Sequence, residues 1–290
     1  MKLLNLFRAV SFWGFVLIAG GYLLSLGCNM NIGPCNDCDP PLLPVFVPNK
    51  MAASFFAQNA SLEIEVAYEE GAKPYVGNLA LNPSGTKTDP NNWDIIEDNL
   101  KEIFKNKTVA NQLTIPKTES EMKAVPAQNK SSWTTDKILA FAEAHTRYKQ
   151  VSSGFIFLVF LKGYFEGKNN ILGVSLGSTS VVAIFKDVVE ASGQFRGPRS
   201  LELFQKTVEL STVVHELGHA LGLVNNGIPM TTAHQDSNNG AHCTNTECVM
   251  YWAIESNMSE MVKFANKRID SDARILFQSE CLSDAQNFNP

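Results

Sequence analysis

Residues 215–222 read His-Glu-Leu-Gly-His-Ala-Leu-Gly. The fold and the function that we predict for the whole chain depend on this stretch. On an α-helix, residues four apart lie on the same face, so the imidazoles of His215 and His219 can bind one metal ion. Zinc is the ion expected for such a pair. The carboxylate of Glu216 can take a proton from a water whose pKa the zinc has lowered to roughly 7. The motif therefore predicts a helix that carries a hydrolytic zinc centre.

Two further features follow the motif along the chain. Gly222 closes it, at a position where a glycine can end the helix in a left-handed conformation and turn the chain back toward the metal. The segment His242-Cys243-x4-Cys248-x-Met250 comes next. A chance match to HExxH is improbable because the chain has only five His. This context favours a metal site over an accidental pattern on an amphipathic helix.

HExxHxxG followed by a histidine and then a methionine resembles the metzincin clan of zinc metallopeptidases. The cysteine pair between His242 and Met250 makes the motif most similar to the archaemetzincins, whereas the His-to-Met spacing and the Met-Tyr dipeptide also resemble the matrixins. The resemblance implies an α/β catalytic domain with a mixed twisted sheet, a long active-site helix, a Met-turn and a C-terminal helix. It also implies one catalytic zinc ion above Met250, held by His215, His219 and His242.

The chain departs from the family pattern at two places. The family has its third ligand three residues after the glycine, where this chain has Asn225, and residues 223–241 read as an inserted loop. Archaemetzincins complete a second, structural zinc site with a later CxxC, whereas only Cys281 follows here. We therefore predict that Cys243 and Cys248 form a disulfide, as expected in an oxidising compartment, instead of a second zinc site.

Four side chains compete for the position of third ligand: Asn225, His234, Asp236 and His242. A neutral amide is a poor zinc ligand beside imidazole. His234 and Asp236 lie in the polar inserted loop, from which either could orient a ligand. His242 keeps the family's distance to Met250. We expect His242 to bind the ion, with His234 as the next choice.

The N-terminus, residues 1–27, has the composition of an export signal. Lys2 and Arg8 precede an apolar run that ends before Gly27-Cys28. This pattern fits a secretory signal, a membrane anchor or a bacterial lipoprotein signal with lipidation at Cys28, and we prefer the last. All three interpretations put the remainder of the chain on the periplasmic or extracellular side of a membrane.

A tether and one domain make up the rest of the chain. The Pro- and Asn-rich tether, 28–50, contains Cys35 and Cys38, for which a local disulfide is a simpler interpretation than a redox pair or half a zinc site. The metallopeptidase domain, 51–290, follows. Within it we place the active-site helix at about 200–222, the inserted loop at 223–241 and the Met-turn at about 248–251.

Hydrophobic patterns predict the elements around the motif. Residues 62–68 alternate apolar and mostly polar side chains, which predicts a half-buried strand. Residues 155–161 and 181–185 are apolar throughout, which predicts central strands covered on both faces. In metzincins an edge strand binds extended substrate, and 171–178 is the segment here that fits. The pattern in 258–277 predicts a C-terminal helix behind the zinc helix.

Together, the zinc motif, the candidate third ligand and the N-terminal signal predict an exported, membrane-tethered zinc endopeptidase. In this enzyme Glu216 deprotonates the water that attacks a peptide carbonyl. Its partners would be a protein or peptide substrate and, through the N-terminal anchor, a membrane. The net charge of −5 offers no basic surface for nucleic acid. Two alternatives are a surface-binding lipoprotein with a vestigial or structural metal site, and a zinc hydrolase with a non-peptide substrate. Glu216 argues against the first, because a structural site needs no carboxylate beside its ligand.

Overall fold

The computed structural model describes residues 48–79, 90–147, 154–177, 179–271 and 273–290. The predicted signal with Cys28, and the part of the tether that holds Cys35 and Cys38, lie outside the described residues. In the described part of the chain, no helix has both the length and the apolar character needed to cross a bilayer.

A mostly parallel sheet runs through the domain, which makes the fold a mixed α/β one, as predicted. The strand order is β2-β1-β5-β8-β7, and β3 pairs with the C-terminal half of β1 beyond β2. The described pairings in this sheet are parallel except that of β7 with β8, which is antiparallel. A small parallel pair, β4 with β6, stands apart. The strands are β1 (Leu62–Glu69), β2 (Leu113–Thr114), β3 (Lys123–Val125), β4 (Ser132–Trp133), β5 (Phe155–Leu161), β6 (Tyr164–Phe165), β7 (Gly173–Leu176) and β8 (Val181–Phe185).

Helices and short 3-10 turns connect and cover these strands. Every residue of β5 and β8 is buried, so both faces of the sheet centre are covered, as their unbroken apolar sequences predicted. The 3-10 turns span Thr108–Asn111, Glu119–Glu121 and Gly193–Phe195. The α-helices are α1 (Pro48–Phe56), α2 (Asn92–Ile103), α3 (Thr135–His145), α4 (Lys186–Ser192), α5 (Leu201–Leu221), α6 (Ala253–Ser256), α7 (Met258–Ser271) and α8 (Ser279–Asn287).

Strand β1 is more deeply buried than its sequence predicted. It lies inside the sheet beside β5, and its carboxylates at Glu65 and Glu69 are both buried. Glu65 accepts hydrogen bonds from Thr146 Oγ1 at 2.9 Å and from the Arg147 N–H at 3.1 Å. The alternating pattern was therefore misleading, because the protein supplies donors to these side chains in place of water: Glu65 faces the segment of Thr146 and Arg147, and Glu69 accepts a hydrogen bond from the Gln128 N–H at 2.9 Å.

Helix α5 carries the zinc motif and is buried along most of its length. It packs against helices α2 and α7 and against strands β7 and β8, which fixes the motif within the core. The helix ends at Gly222, whose φ of 93° is left-handed, and the Leu223 N–H donates to Gly218 O at 3.0 Å. This is the glycine-terminated helix end that the sequence predicted.

The C-terminal helix predicted for 258–277 is present but shorter, and a second helix follows it. Helix α7 packs against α5 as expected, but it ends at Ser271. The chain then extends, and the Leu276 N–H donates to the Asn99 side chain at 2.7 Å. Helix α8, which the hydrophobic pattern did not predict, follows and carries Cys281 to a fully buried position.

Candidate metal centre

Three imidazoles converge at the C-terminal end of α5. The Nε2 atom of His219 lies 3.1 Å from Nε2 of His215 and 3.2 Å from Nε2 of His242. His215 is fully buried, whereas His219 and His242 are partly exposed, so the site opens to solvent on the side of the latter two. The structure thus brings together the three histidines that the sequence predicted as ligands.

The second ring nitrogen of two of these histidines contacts a backbone carbonyl. His215 Nδ1 lies 2.6 Å from Val249 O, and His242 Nδ1 lies 2.6 Å from Asn239 O. A carbonyl oxygen only accepts, so Nδ1 carries the proton in both rings, and in a neutral ring Nε2 then presents a lone pair. Burial, and then His242, lower the pKa of His215 to about 4, and burial also lowers the pKa of His219, so both rings are neutral at pH 7. Lone pairs that face each other this closely are stabilised by a cation, as around metal-bound histidine.

Glu216 stands next to His215 on α5 and is 1% exposed. A β-carbon added to Gly173 on β7 would lie 2.9 Å from Glu216 Cγ, so this strand packs directly against the side chain. Its Oε1 atom is buried with no hydrogen-bond partner among the described residues. Burial, and then the negative charge of Glu255, raise the pKa of Glu216 well above its usual value. A buried carboxylate with an unpaired oxygen and a raised pKa is suited to accepting a proton.

The segment predicted as the Met-turn is a tight turn packed against α5. The Tyr251 N–H donates to Cys248 O at 3.0 Å, which closes the turn, and Met250 is fully buried within it. A β-carbon added to Gly218 would overlap Met250 Sδ, so the sulfur lies directly against the backbone of α5 between the two histidines of the motif. Gly218 is therefore the residue that lets this turn approach the helix.

The predicted inserted loop returns the chain to α5 and delivers His242. Asn225, at the family's usual ligand position, has a left-handed φ of 59°, and its side chain donates to Gln235 Oε1 at 3.2 Å. Asp236 accepts a hydrogen bond from Asn239 Nδ2 at 2.7 Å, and Asn239 O in turn contacts His242. Asp236 thus supports the third imidazole indirectly, as the sequence allowed, and His242 is the loop residue that joins the pair on α5.

His234, the second choice for third ligand, belongs to a separate cluster. Its Nδ1 lies 3.3 Å from Cys243 Sγ, while Cys248 Sγ lies 3.5 Å from Cys281 Sγ. The potential ligand atoms of His234, Cys243 and Cys281 lie within 4.8 Å of one another, and His234 Nε2 lies 2.6 Å from Asp284 Oδ2. Three Cys and one His are a donor set of structural zinc, and a carboxylate behind the imidazole is usual there. All three sulfur atoms are unbonded thiols here, so the Cys243–Cys248 disulfide stays a prediction.

Glu255 is a further residue of the site that the sequence did not predict. Its Oε2 lies 3.1 Å from His242 Nε2 and 3.9 Å from His215 Nε2. The residue lies on α6, shortly after the Met-turn, and no motif marks it. The one signal in the sequence is a carboxylate a few residues beyond Met250, which by itself indicates nothing about its position.

Comparison with known proteins adds little to this geometry. No protein-family model and no curated protein matches the chain. A solved structure of a zinc-dependent peptidase from Methanocorpusculum labreanum (strain Z) shares 12% sequence identity with it. That match covers 77% of this chain and 99% of that chain, with a TM-score of 0.41. A likeness at this level does not assign a function to this chain.

Proposed function

We propose that this protein is a zinc-dependent endopeptidase of metzincin type. The observation that carries the proposal is the convergence of His215, His219 and His242. The Nε2 atom of His219 lies 3.1 Å from that of His215 and 3.2 Å from that of His242. Three histidines are a ligand set of catalytic zinc. When bound, the ion would lower the pKa of water and polarise the carbonyl of a substrate.

Glu216 supplies the proton transfer in this proposal. It takes a proton from the water that attacks the peptide carbonyl and passes it to the leaving amine. Burial raises its pKa, and a cation bound nearby would lower that pKa again toward the working range. The carbonyl oxygens of Val249 and Asn239 keep two of the imidazoles in one orientation, so the geometry needs little reorganisation.

The edge of the sheet supports a peptide as the substrate. Among the described strands, β7 pairs with β8 alone, so its other edge is open to a further strand. Gly173 on that strand packs against Glu216, so the strand borders the proposed base. An extended peptide that adds to this edge would bring a carbonyl next to Glu216, whereas a compact non-peptide substrate would not use the edge.

The N-terminal sequence supports export and a membrane tether. We include in the proposal a lipid on Cys28, which follows Gly27 after the apolar run. Mass analysis of the N-terminus tests this part. A chain that begins at an acylated Cys28 is expected, and an unmodified Cys28 still joined to Gly27 would favour the membrane anchor instead.

The second cluster has a structural role in the proposal. Where the predicted Cys243–Cys248 disulfide does not form, His234 and the free thiols offer a structural zinc site as the alternative. An ion held by His234, Cys243, Cys248 and Cys281 would join the inserted loop, the Met-turn and α8. It would stabilise the fold because such an ion binds only the folded chain.

Zinc analysis combined with cleavage of a peptide library tests the proposed function. The full chain is compared with Glu216→Gln, which removes the base but no proposed ligand. We expect unchanged zinc content and unfolding, with hydrolysis lowered by roughly 10²–10⁴-fold. Glu260→Gln is the control, because Glu260 is partly exposed and pairs with Lys263. Wild-type activity in Glu216→Gln would contradict the mechanism, and a zinc-loaded wild type that cleaves no peptide would favour the binding-protein alternative.

A further inference from the structure

Glu255 approaches the three imidazoles from the solvent side of the site. Its side chain is 22% exposed, whereas that of His215 is 0% exposed. The carboxylate oxygen and the ring nitrogens of His215, His219 and His242 all lie within 4.8 Å of one another. The four residues therefore form one group of potential ligands and not a histidine cluster with a distant surface charge.

Three separations within this group are close to those of atoms bound to one four-coordinate ion. A tetrahedral zinc with bonds of about 2.0–2.1 Å holds its ligand atoms about 3.3 Å apart. The two contacts of His219 Nε2 measure 3.1 and 3.2 Å, and Glu255 Oε2 lies 3.1 Å from His242 Nε2. The distance from Glu255 to His215, 3.9 Å, is somewhat longer. Glu255 Oε2 is therefore close enough to the imidazoles to share one ion with them.

Backbone hydrogen bonds hold Glu255 in this place. The N–H of Leu172, one residue before β7, donates to Glu255 O at 3.2 Å. The N–H of Glu255 donates to Trp252 O at 3.3 Å, which connects it to the end of the Met-turn. The carboxylate is therefore positioned by the same two segments that border Glu216 and support α5.

We infer that Glu255 is a fourth protein ligand to the ion bound by the three histidines. This inference rests on the proposed function. A catalytic zinc site leaves its fourth position to water, and in this conformation Glu255 takes that position. With the ion bound, this conformation would be a closed, resting one, and hydrolysis would require the Glu255 side chain to turn away from the three histidines. Because Glu255 lies on α6, it can do so without moving His215 or His219 on α5.

Metal binding by the full chain tests the inference without any substrate. Glu255→Gln keeps the size of the side chain but replaces a charged ligand by a neutral amide, which binds zinc poorly. We expect the Kd for zinc, measured by competition with a chelator, to rise at least about tenfold. With cobalt(II) in place of zinc, azide should change the visible spectrum of the variant but not that of the wild type. An unchanged zinc affinity, or a wild-type cobalt site that binds azide, would overturn the inference.

Two further variants keep this test decisive. Glu260→Gln removes the same charge five residues further along the chain, where Glu260 pairs with Lys263 at 2.5 Å, and it should leave both readouts unchanged. An equal loss of affinity in Glu260→Gln would show a general charge effect and overturn ligation by Glu255. Glu255→Ala serves as a second variant, in which added acetate should restore the cobalt spectrum of the wild type.

Failure of this inference can be told apart from failure of the proposed function. The affinity and cobalt measurements need no hydrolysis, so they judge Glu255 even if no peptide is cleaved. At saturating zinc, Glu255→Gln should cleave peptide at least as fast as the wild type. If it were slowed as much as Glu216→Gln with unchanged zinc affinity, Glu255 would be a proton-transfer group, and the inference would fail while the proposed function stood.

Discussion

Replacing Gly173 with alanine should remove most hydrolysis while the metal stays bound. Gly173 begins β7, and a β-carbon there would lie 2.9 Å from both Glu216 Cγ and Thr212 Cγ2 on α5. Ordinary contacts between carbon atoms are about 3.5–4.0 Å long, so these side chains would have to move by roughly 0.6–1.1 Å. No proposed ligand is touched, so the substitution perturbs the base without perturbing the ion.

The magnitude follows from how closely a general base must be positioned. Misplacing a reacting group by about 1 Å costs roughly 10²-fold, so kcat/KM should fall by about that factor, or about 2.7 kcal/mol. Overpacking costs about 1–3 kcal/mol of stability, and the loss of glycine's backbone entropy returns about 0.5–1 kcal/mol. The net cost of at most about 2.5 kcal/mol is small beside the roughly 5–15 kcal/mol of a typical domain, so the variant should fold.

Peptide cleavage, zinc content and urea unfolding of the same preparations check this prediction. Gly177→Ala is the matched control, because Gly177 follows directly after β7 and a β-carbon there meets nothing within 4 Å. It should keep wild-type kcat/KM. If Gly173→Ala bound zinc and also kept wild-type kcat/KM, the close approach of β7 would not control the base, and the reasoning would be refuted.

Three other predictions concern the ligands, the sulfur atoms and the packing of α5. His242→Ala should lose both activity and the zinc that supports it, whereas His234→Ala should keep that zinc. Zinc analysis and activity assays on both variants check this. Loss of that zinc in His234→Ala but not in His242→Ala would make His234 the third ligand. Peptide mapping of the non-reduced protein should find a Cys243–Cys248 disulfide. If a second ion is bound instead, the thiols should be free and zinc analysis should give a second equivalent of zinc. Free thiols without that zinc would contradict both the disulfide and the structural zinc site. Gly218→Ala should lower the free energy of unfolding by about 1–3 kcal/mol, because the new β-carbon would overlap the sulfur of Met250. The higher helix propensity of alanine offsets up to about 1 kcal/mol of this loss. A variant that is more stable than the wild type in urea unfolding would show that the turn does not pack against α5 as described.

The helix with its ligand pair could be predicted because its signals are local. The spacing of His215 and His219 fixes their common face once a helix forms, and Gly222 marks where the helix ends. Strands β5 and β8 could also be predicted, because a strand that is covered on both faces of the sheet has apolar residues throughout. These features depend on a few consecutive residues and not on which distant segment lies beside them.

Long-range partners could not be predicted in the same way. Glu65 looked solvent-exposed because its donors, Thr146 and the backbone of Arg147, are far away in sequence. Helix α8 has a weak apolar pattern, and the sequence around Cys281 does not indicate that this residue lies beside Cys243 and Cys248. Glu255 likewise looks like an ordinary surface carboxylate until the fold brings it to the imidazoles.

His242 and His234 belong to different clusters because the chain is extended at Cys243. Cys243 pairs with Gln235 on one side and with Tyr251 on the other, so the backbone at this point is strand-like. In an extended chain, adjacent side chains project to opposite sides. His242 therefore joins the imidazoles at the end of α5, while Cys243 joins His234 and the other sulfur atoms. Because the two residues are consecutive, whatever holds Cys243 also positions the third ligand, and a cysteine pair that looks peripheral in the sequence becomes part of what orients the metal centre.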